Sequence, residues 1–281
     1  QRAIDVFSEV MDSLTGDLVW DHLGLPILPA VFARSHVVAC QTEIGAFGEA
    51  AVHAEEAVRL AEATGHPDTM LWAYRGVGFL HLGRGDGGDA VRVLERAFAL
   101  IQAADLPVYV APISAELGSA YALDGHPDQA LSLLERAVEV AMARSQKASL
   151  PPIFLRLGEV NLALERTKEA QEAAVRALDL FRAQSEHGNE AHGLRLLAEI
   201  AARGDDTDSA RESYAAAMAL ASERGMRPLV ARCRLGLGLM WRRRGESSLA
   251  RAELTEAVRD LRDMGMRGRL EQADLALRSL S

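Results

Sequence analysis

The chain has very little cysteine and lysine, few aromatic residues and no long apolar run, and each shortage excludes something. Cys40 and Cys233 are the two cysteines, with no Cys-x-x-Cys and no Cys/His cluster around either. That excludes a disulfide-stapled secreted scaffold and a zinc ribbon, and makes a reducing, cytoplasmic setting the expectation. No apolar stretch reaches the roughly 18 residues that a spanning helix needs. The start QRAIDVFSEV lacks the basic segment and apolar core of a signal peptide, so no membrane is expected as a partner. Because that start is Gln1 rather than methionine, a piece of a longer polypeptide is expected. Aromatics are 5 % of residues while apolar residues are 49 %. The apolar material is mostly alanine and leucine, which suits close-packed helices better than sheet. Only Lys147 and Lys168 among the 31 basic residues are lysine, which reads as a GC-rich coding bias rather than as function.

Charge is plentiful but uneven. Against 31 basic residues stand 40 acidic ones, while residues 221–281 alone hold 13 arginines against 8 Asp and Glu. The acidic body repels nucleic acid, which is not expected as a partner; only the C-terminal end has the charge to attract an anion.

Residues 83–88, Gly83-Arg84-Gly85-Asp86-Gly87-Gly88, spell the G-x-G-x-x-G of dinucleotide-binding proteins. That motif works only between a strand and a helix, where the crevice and the helix N-terminus hold the pyrophosphate. Here it follows WAYRGVGFLHLG, which fits a helix, so the glycines are expected to form a turn and no nucleotide cofactor is expected.

The stretch instead belongs to a repeat. GDGGDAVRVLERA at 85–97 returns as GHPDQALSLLERA at 125–137, forty residues on. At that step Ala50, Ala90, Ala130, Ala170, Ala210 and Ala250 are all alanine, and so are Ala57, Ala97, Ala137, Ala177, Ala217 and Ala257. Twelve residues before each first alanine comes Val38, Gly78, Gly118, Gly158, Ala198 or Gly238, each preceded by Val or Leu. Small residues at matching heights let two antiparallel helices approach closely, so each unit is expected to be a helical hairpin. Gly45, Gly85, Gly125 and Gly245 mark the turns within hairpins, with Glu165 and Asp205 in the same slot.

This pattern resembles the tetratricopeptide repeat, whose Leu-Gly-x2-Tyr and paired alanines return as Leu117-Gly118-x2-Tyr121 with Ala130 and Ala137, and as Leu237-Gly238-x2-Trp241 with Ala250 and Ala257. The period is 40 rather than 34, and the consensus Trp is replaced throughout. HEAT and armadillo arrays share the longer period but not this spacing. The resemblance implies an all-α, right-handed superhelical solenoid of antiparallel hairpins. Residues 1–30 then hold the second helix of a preceding repeat and a long loop, 31–268 six repeats, and 269–281 a capping helix. Trp20, Leu23, Leu25 and Ile27 in the loop are expected to cover part of the array. The HLGRGD and YALDGH turns and the mid-repeat start are similar to the C-terminal arrays of large bacterial signalling proteins that carry an ATPase, often with a cyclase or DNA-binding domain.

No nucleophile, base and orienting group come together in the sequence, so no enzyme is expected. His187 and His192 are five apart rather than four, and fit a solvated loop better than zinc. Arg242, Arg243 and Arg244 suit a helix C-terminus, with an acidic partner as the alternative. The resemblance implies a partner groove lined by the first helix of each hairpin, which carries His36, Arg75, Phe79, Glu116, Ser119, Arg156, Glu159, Arg195 and Glu199, with Arg232 joining from the arginine-rich end. Its partner would be a protein or peptide, an attached domain included, or a small-molecule inducer. The Lys/Asn clamp that grips chaperone tails is unmatched, since Ser35 and Ala39 hold those slots. Arg75, Arg156 and Arg195 face Glu116, Glu159 and Glu199, so mutual neutralisation competes with ligand binding. Removing the three arginines is expected to abolish binding with little loss of fold.

Overall fold

The structure, a computed structural model, describes residues 2–280 and contains helices and turns with no strand among them. It divides at His126/Pro127 into two compact units. The first holds α1 (Arg2–Ser13), α2 (Pro29–Ile44), α3 (Phe47–Thr64), α4 (Pro67–Arg84), α5 (Gly87–Ala103) and α6 (Val110–Leu123). The second holds α7 (Pro127–Ala143), α8 (Leu150–Ala163), α9 (Thr167–Ala183), α10 (His187–Arg203), α11 (Thr207–Glu223), α12 (Arg227–Arg243), α13 (Ser247–Asp263) and α14 (Arg267–Arg278).

All twelve repeating alanines lie on second helices and are at most 1 % exposed. Two of them seven residues apart sit two turns apart on one face, where the first helix crosses. The small residue opposite is equally constrained. A Cβ on Gly78 would come within 2.5 Å of Leu94 Cδ2, and one on Gly238 within 2.6 Å of Leu254 Cγ. Hairpins α2/α3, α4/α5, α8/α9, α10/α11 and α12/α13 close on these contacts.

Stacking follows one rule in each unit. Every second helix packs on the next first helix, and first helices also touch one another: α2 with α4 and α4 with α6, then α8 with α10, α10 with α12 and α12 with α14. Second helices of successive hairpins have at most marginal contact. A stack that touches in one layer and splays in the other is concave on the touching side, so the first helices form the inner face of each unit.

The turns carry a finer period than the hairpins. Gly45, Gly65, Gly85, Asp105, Gly125, Ser145, Glu165, Ser185, Asp205, Gly225, Gly245 and Gly265 all have φ between +49° and +90°, one left-handed residue every twenty. This is the helix C-terminal cap that usually takes glycine. A side chain there costs about 1–2 kcal/mol. Glu165, at φ +61°, has no local reason to be glutamate, and Glu165→Gly should raise stability by about 0.5–1 kcal/mol after the greater freedom of the unfolded chain is subtracted. The urea midpoint measures it; a fall would mean that the glutamate side chain stabilises the turn.

Leu14 and Leu28 bury against Ala57, Leu60, Ala61 and Ala73. Between them Val19 packs on the same cluster, Arg59 lies over the Trp20 ring at 5.8 Å and the His22 ring lies 5.2 Å from that of His66, while Trp20, Leu23 and Leu25 remain 45–55 % exposed. Gly16–Trp20 forms a 3-10 turn whose Val19 faces the array. Among the described residues no helix is long and apolar enough to cross a membrane.

Candidate functional site

The G-x-G-x-x-G stretch runs from the last turn of α4 into the first turn of α5, with a helix on either side. Gly85 provides the left-handed turn at φ +90°. Gly83 lies against Thr42, where a Cβ would collide with Cγ2, and a Cβ on Gly87 would stand 2.7 Å from the backbone nitrogen of Asp124. The glycines serve close packing against neighbouring hairpins. His81, Asp86 and Asp89 bring one ligand atom each within 4.8 Å of one another at this turn. Asp89 is already engaged by Arg92 and half exposed, so the group is accounted for as a charged turn.

On the inner face of the first unit the first helices assemble an aromatic row. His36 of α2 stacks on Phe7 at 4.7 Å and on Trp72 at 5.2 Å, and Phe32 packs on both His36 and Trp72. Burial lowers the pKa of His36 and favours the neutral ring that stacks here. Arg75 of α4 lies over Trp72 at 5.0 Å and over Phe79 at 5.1 Å, and its Nε donates to Glu116 of α6 at 2.7 Å. One guanidinium thereby joins two aromatic faces to a carboxylate. Ser119 Oγ donates to the carbonyl of Ala115 in its own helix.

On the inner face of the second unit the polar groups are ionic. Arg156 Nη1 donates to Glu159 Oε2 at 2.8 Å within α8. Arg195 of α10 bonds both Glu159 and Glu199, and Arg232 Nη2 of α12 lies 3.5 Å from Glu159 Oε1. Burial alone would raise the pKa of Glu159, but Arg156, Arg195 and Arg232 outweigh it and hold the carboxyl far below the usual range. Burial likewise opposes the charge of Arg195, and Glu199 and Glu159 overcome it. At 1 % exposure Arg195 is the largest fully buried side chain. It is part of the frame, which corrects the expectation that its removal would spare the fold.

The tetratricopeptide repeat family matches residues 69–143. Among solved structures, a Rap protein complexed with competence and sporulation factor is 14 % identical, with a TM-score of 0.65 over 99 % of this chain and 78 % of that one. The protein NprR in complex with its cognate peptide NprX is 13 % identical, with a TM-score of 0.66 over 99 % and 82 %. A signal-transduction ATPase with numerous domains and a tetratricopeptide repeat sensor, from Pyrococcus horikoshii, is 15 % identical, with a TM-score of 0.60 over 99 % and 43 %. Residues 69–143 are thus tetratricopeptide repeats, and the whole chain has the fold of these helical-hairpin arrays. No curated protein sequence matches it.

Within this array the remaining candidate residues have plain positions. His187 starts α10 and pairs with Glu190 at 3.3 Å, while His192 is buried on the same helix. The expected loop is absent because the left-handed Ser185 turns the chain tightly and α10 begins two residues later. Arg243 donates to the carbonyl of Ala202 at 3.1 Å and so caps the end of the preceding first helix, while Arg244 donates to the carbonyl of Asp205 in the turn that follows it. Arg203 repeats the device on Leu162. The residue that sequence reasoning misses is Arg269 of α14, assigned there only to a cap. Its signal is the spacing Arg195, Arg232, Arg269: each step is one repeat less three residues, about one helical turn, which keeps all three on one face of the first-helix layer.

Proposed function

We propose that this array is a non-catalytic regulatory module of a larger bacterial signalling protein, working in the cytoplasm, and that it binds a partner protein or peptide on the inner faces of its first helices. The observation that carries the reading is the content of those faces: an aromatic row with Arg75 in one unit, and arginines with glutamates in the other, where mere packing would call for small apolar residues. Each face suits a ligand by itself, the first one with apolar side chains and the second one with charged groups. The likeness to Rap and NprR supports peptide binding as a use of this fold, and the Pyrococcus horikoshii protein supports attachment to an ATPase. A non-catalytic role agrees with the two cysteines. Burial raises the thiol pKa of both, that of Cys233 to about 12, far from a nucleophile's range.

Thermal-shift measurements with peptide pools and with a metabolite set test the reading. Peptides should raise the melting temperature, and Arg75→Ala together with Arg156→Ala should weaken their binding at least tenfold while the fold persists by circular dichroism. Unchanged binding in that double variant would remove these faces from the site. Stabilisation by metabolites alone would move the array to the class of small-ligand sensors.

A further inference from the structure

Four arginines and two glutamates meet on the inner face of the second unit, and their pairing is uneven. Glu159 is shared by Arg156, Arg195 and Arg232, while Glu199 is taken by Arg195. Arg269 makes no hydrogen bond or ion pair among the described residues. The Nε atoms of Arg195, Arg232 and Arg269 are all buried without an acceptor. A guanidinium stays protonated in proteins, so this charge is not relieved by losing a proton. Burial first, then Arg195 and Arg269, push the pKa of Arg232 well down; burial and then Arg195 lower that of Arg269, against Glu199 and Glu159. Buried donors with no acceptor, beside like charges, are costly in an empty face. A ligand with an anionic group removes both costs, because an oxyanion accepts two parallel N–H bonds from a guanidinium fork. The face is also open to one: the side chains of Arg156 and Glu199 keep 31 % and 32 % of their surface exposed.

We propose that Arg232 and Arg269, set by the Glu159–Arg195–Glu199 chain behind them, form an oxyanion site that takes a carboxylate or phosphate group of the ligand. The proposal rests on the reading of the first-helix face as the binding face, and it names the chemistry that face selects. Arg195, locked between two carboxylates, positions; Arg232 and Arg269, which hold one long ion pair between them, are left to bind.

The first test needs no peptide. Inorganic phosphate, compared with chloride at matched ionic strength, should raise the melting temperature by more than about 2 °C at tens of millimolar. The shift should vanish in the double variant Arg232→Gln, Arg269→Gln, whose own melting temperature without phosphate should equal or exceed that of the parent, because a repulsion has been removed. No phosphate shift, or a clear loss of stability in the variant, overturns the site and makes these arginines structural. The second test uses two labelled peptide pools that differ at fixed positions only, glutamate in one and glutamine in the other. Tenfold tighter anisotropy binding of the glutamate pool, lost in the double variant, assigns the oxyanion to peptide carboxylates. Equal binding of both pools leaves the peptide reading standing and overturns the oxyanion site. A phosphate shift with neither pool bound keeps the site and overturns the peptide reading.

Discussion

Arg195→Ala is expected to destabilise the second unit by about 3 kcal/mol, the low end of what removing one partner from a buried ion pair does. The low end applies because Glu159 keeps Arg156 and Arg232, so Glu199 is the carboxylate left stranded, and it is partly exposed. Loss of the buried aliphatic stem adds to the effect. The pH dependence gives a second measurement. The folded-state pKa of Glu159 is depressed, so its stabilisation is present above the unfolded-state value of about 4.3 and is lost as pH falls toward the lower folded value. Urea midpoints at pH 7 and pH 3 should therefore differ more in the parent than in Arg195→Ala. A loss below about 1 kcal/mol at pH 7, the range of surface pairs, would mean that water already solvates both carboxylates. The contrast with Arg232→Gln is informative: two arginines on one face are expected to change stability in opposite directions, because one has two acceptors and the other shares one at 3.5 Å.

The second large effect lies in the glycine-rich stretch. Gly87→Ala places a methyl 2.7 Å from the Asp124 nitrogen and 2.9 Å from the Leu123 carbonyl carbon. Both are backbone atoms at the end of α6, which cannot swing aside as a side chain can. Overpacking of that kind costs about 2–3 kcal/mol, against the gain of up to about 1 kcal/mol that alanine brings within a helix. Gly48→Ala is the control: a Cβ there meets nothing within 4 Å and should stabilise by about 0.5–1 kcal/mol. Thermal or urea melts of the two variants should move apart. If Gly87→Ala melts with the parent, α5 and α6 are less closely held than they stand here.

How much of this was legible in the sequence depended on which residues repeat. The hairpins were readable because alanine and glycine are dictated by the distance between helix axes, which is the same in every unit; hence all twelve alanines are buried. The left-handed position was visible where glycine fills it and obscure at Asp105, Ser145 and Ser185, since the backbone conformation recurs while the side chain does not. The inner faces were legible as a set of helix positions, and the pairing of Arg75 with Glu116 follows directly from that register. The role of Arg195 was not, because burial of an arginine depends on what lies around it on three helices. Arg269 was hidden for a simpler reason: its side chain joins a face one turn earlier on its helix than the forty-residue register predicts. Which apolar residues of the 15–29 segment bury was also illegible: Leu14, Val19 and Leu28 pack on the array while Leu18, Leu23 and Leu25 stay exposed, and local apolar content does not tell them apart.

That one-turn offset gives the row of arginines a direction. Neighbouring first helices stand about 9 Å apart, and three residues of helix rise about 4.5 Å, so Arg195, Arg232 and Arg269 descend obliquely in steps of about 10 Å. A peptide in the polyproline II conformation advances about 3.1 Å per residue and returns to the same face every third residue, so three residues span one such step. A ligand in that conformation lying along the diagonal would set acidic residues three apart on Arg232 and Arg269, so the array would read the spacing of acidic residues as well as their number.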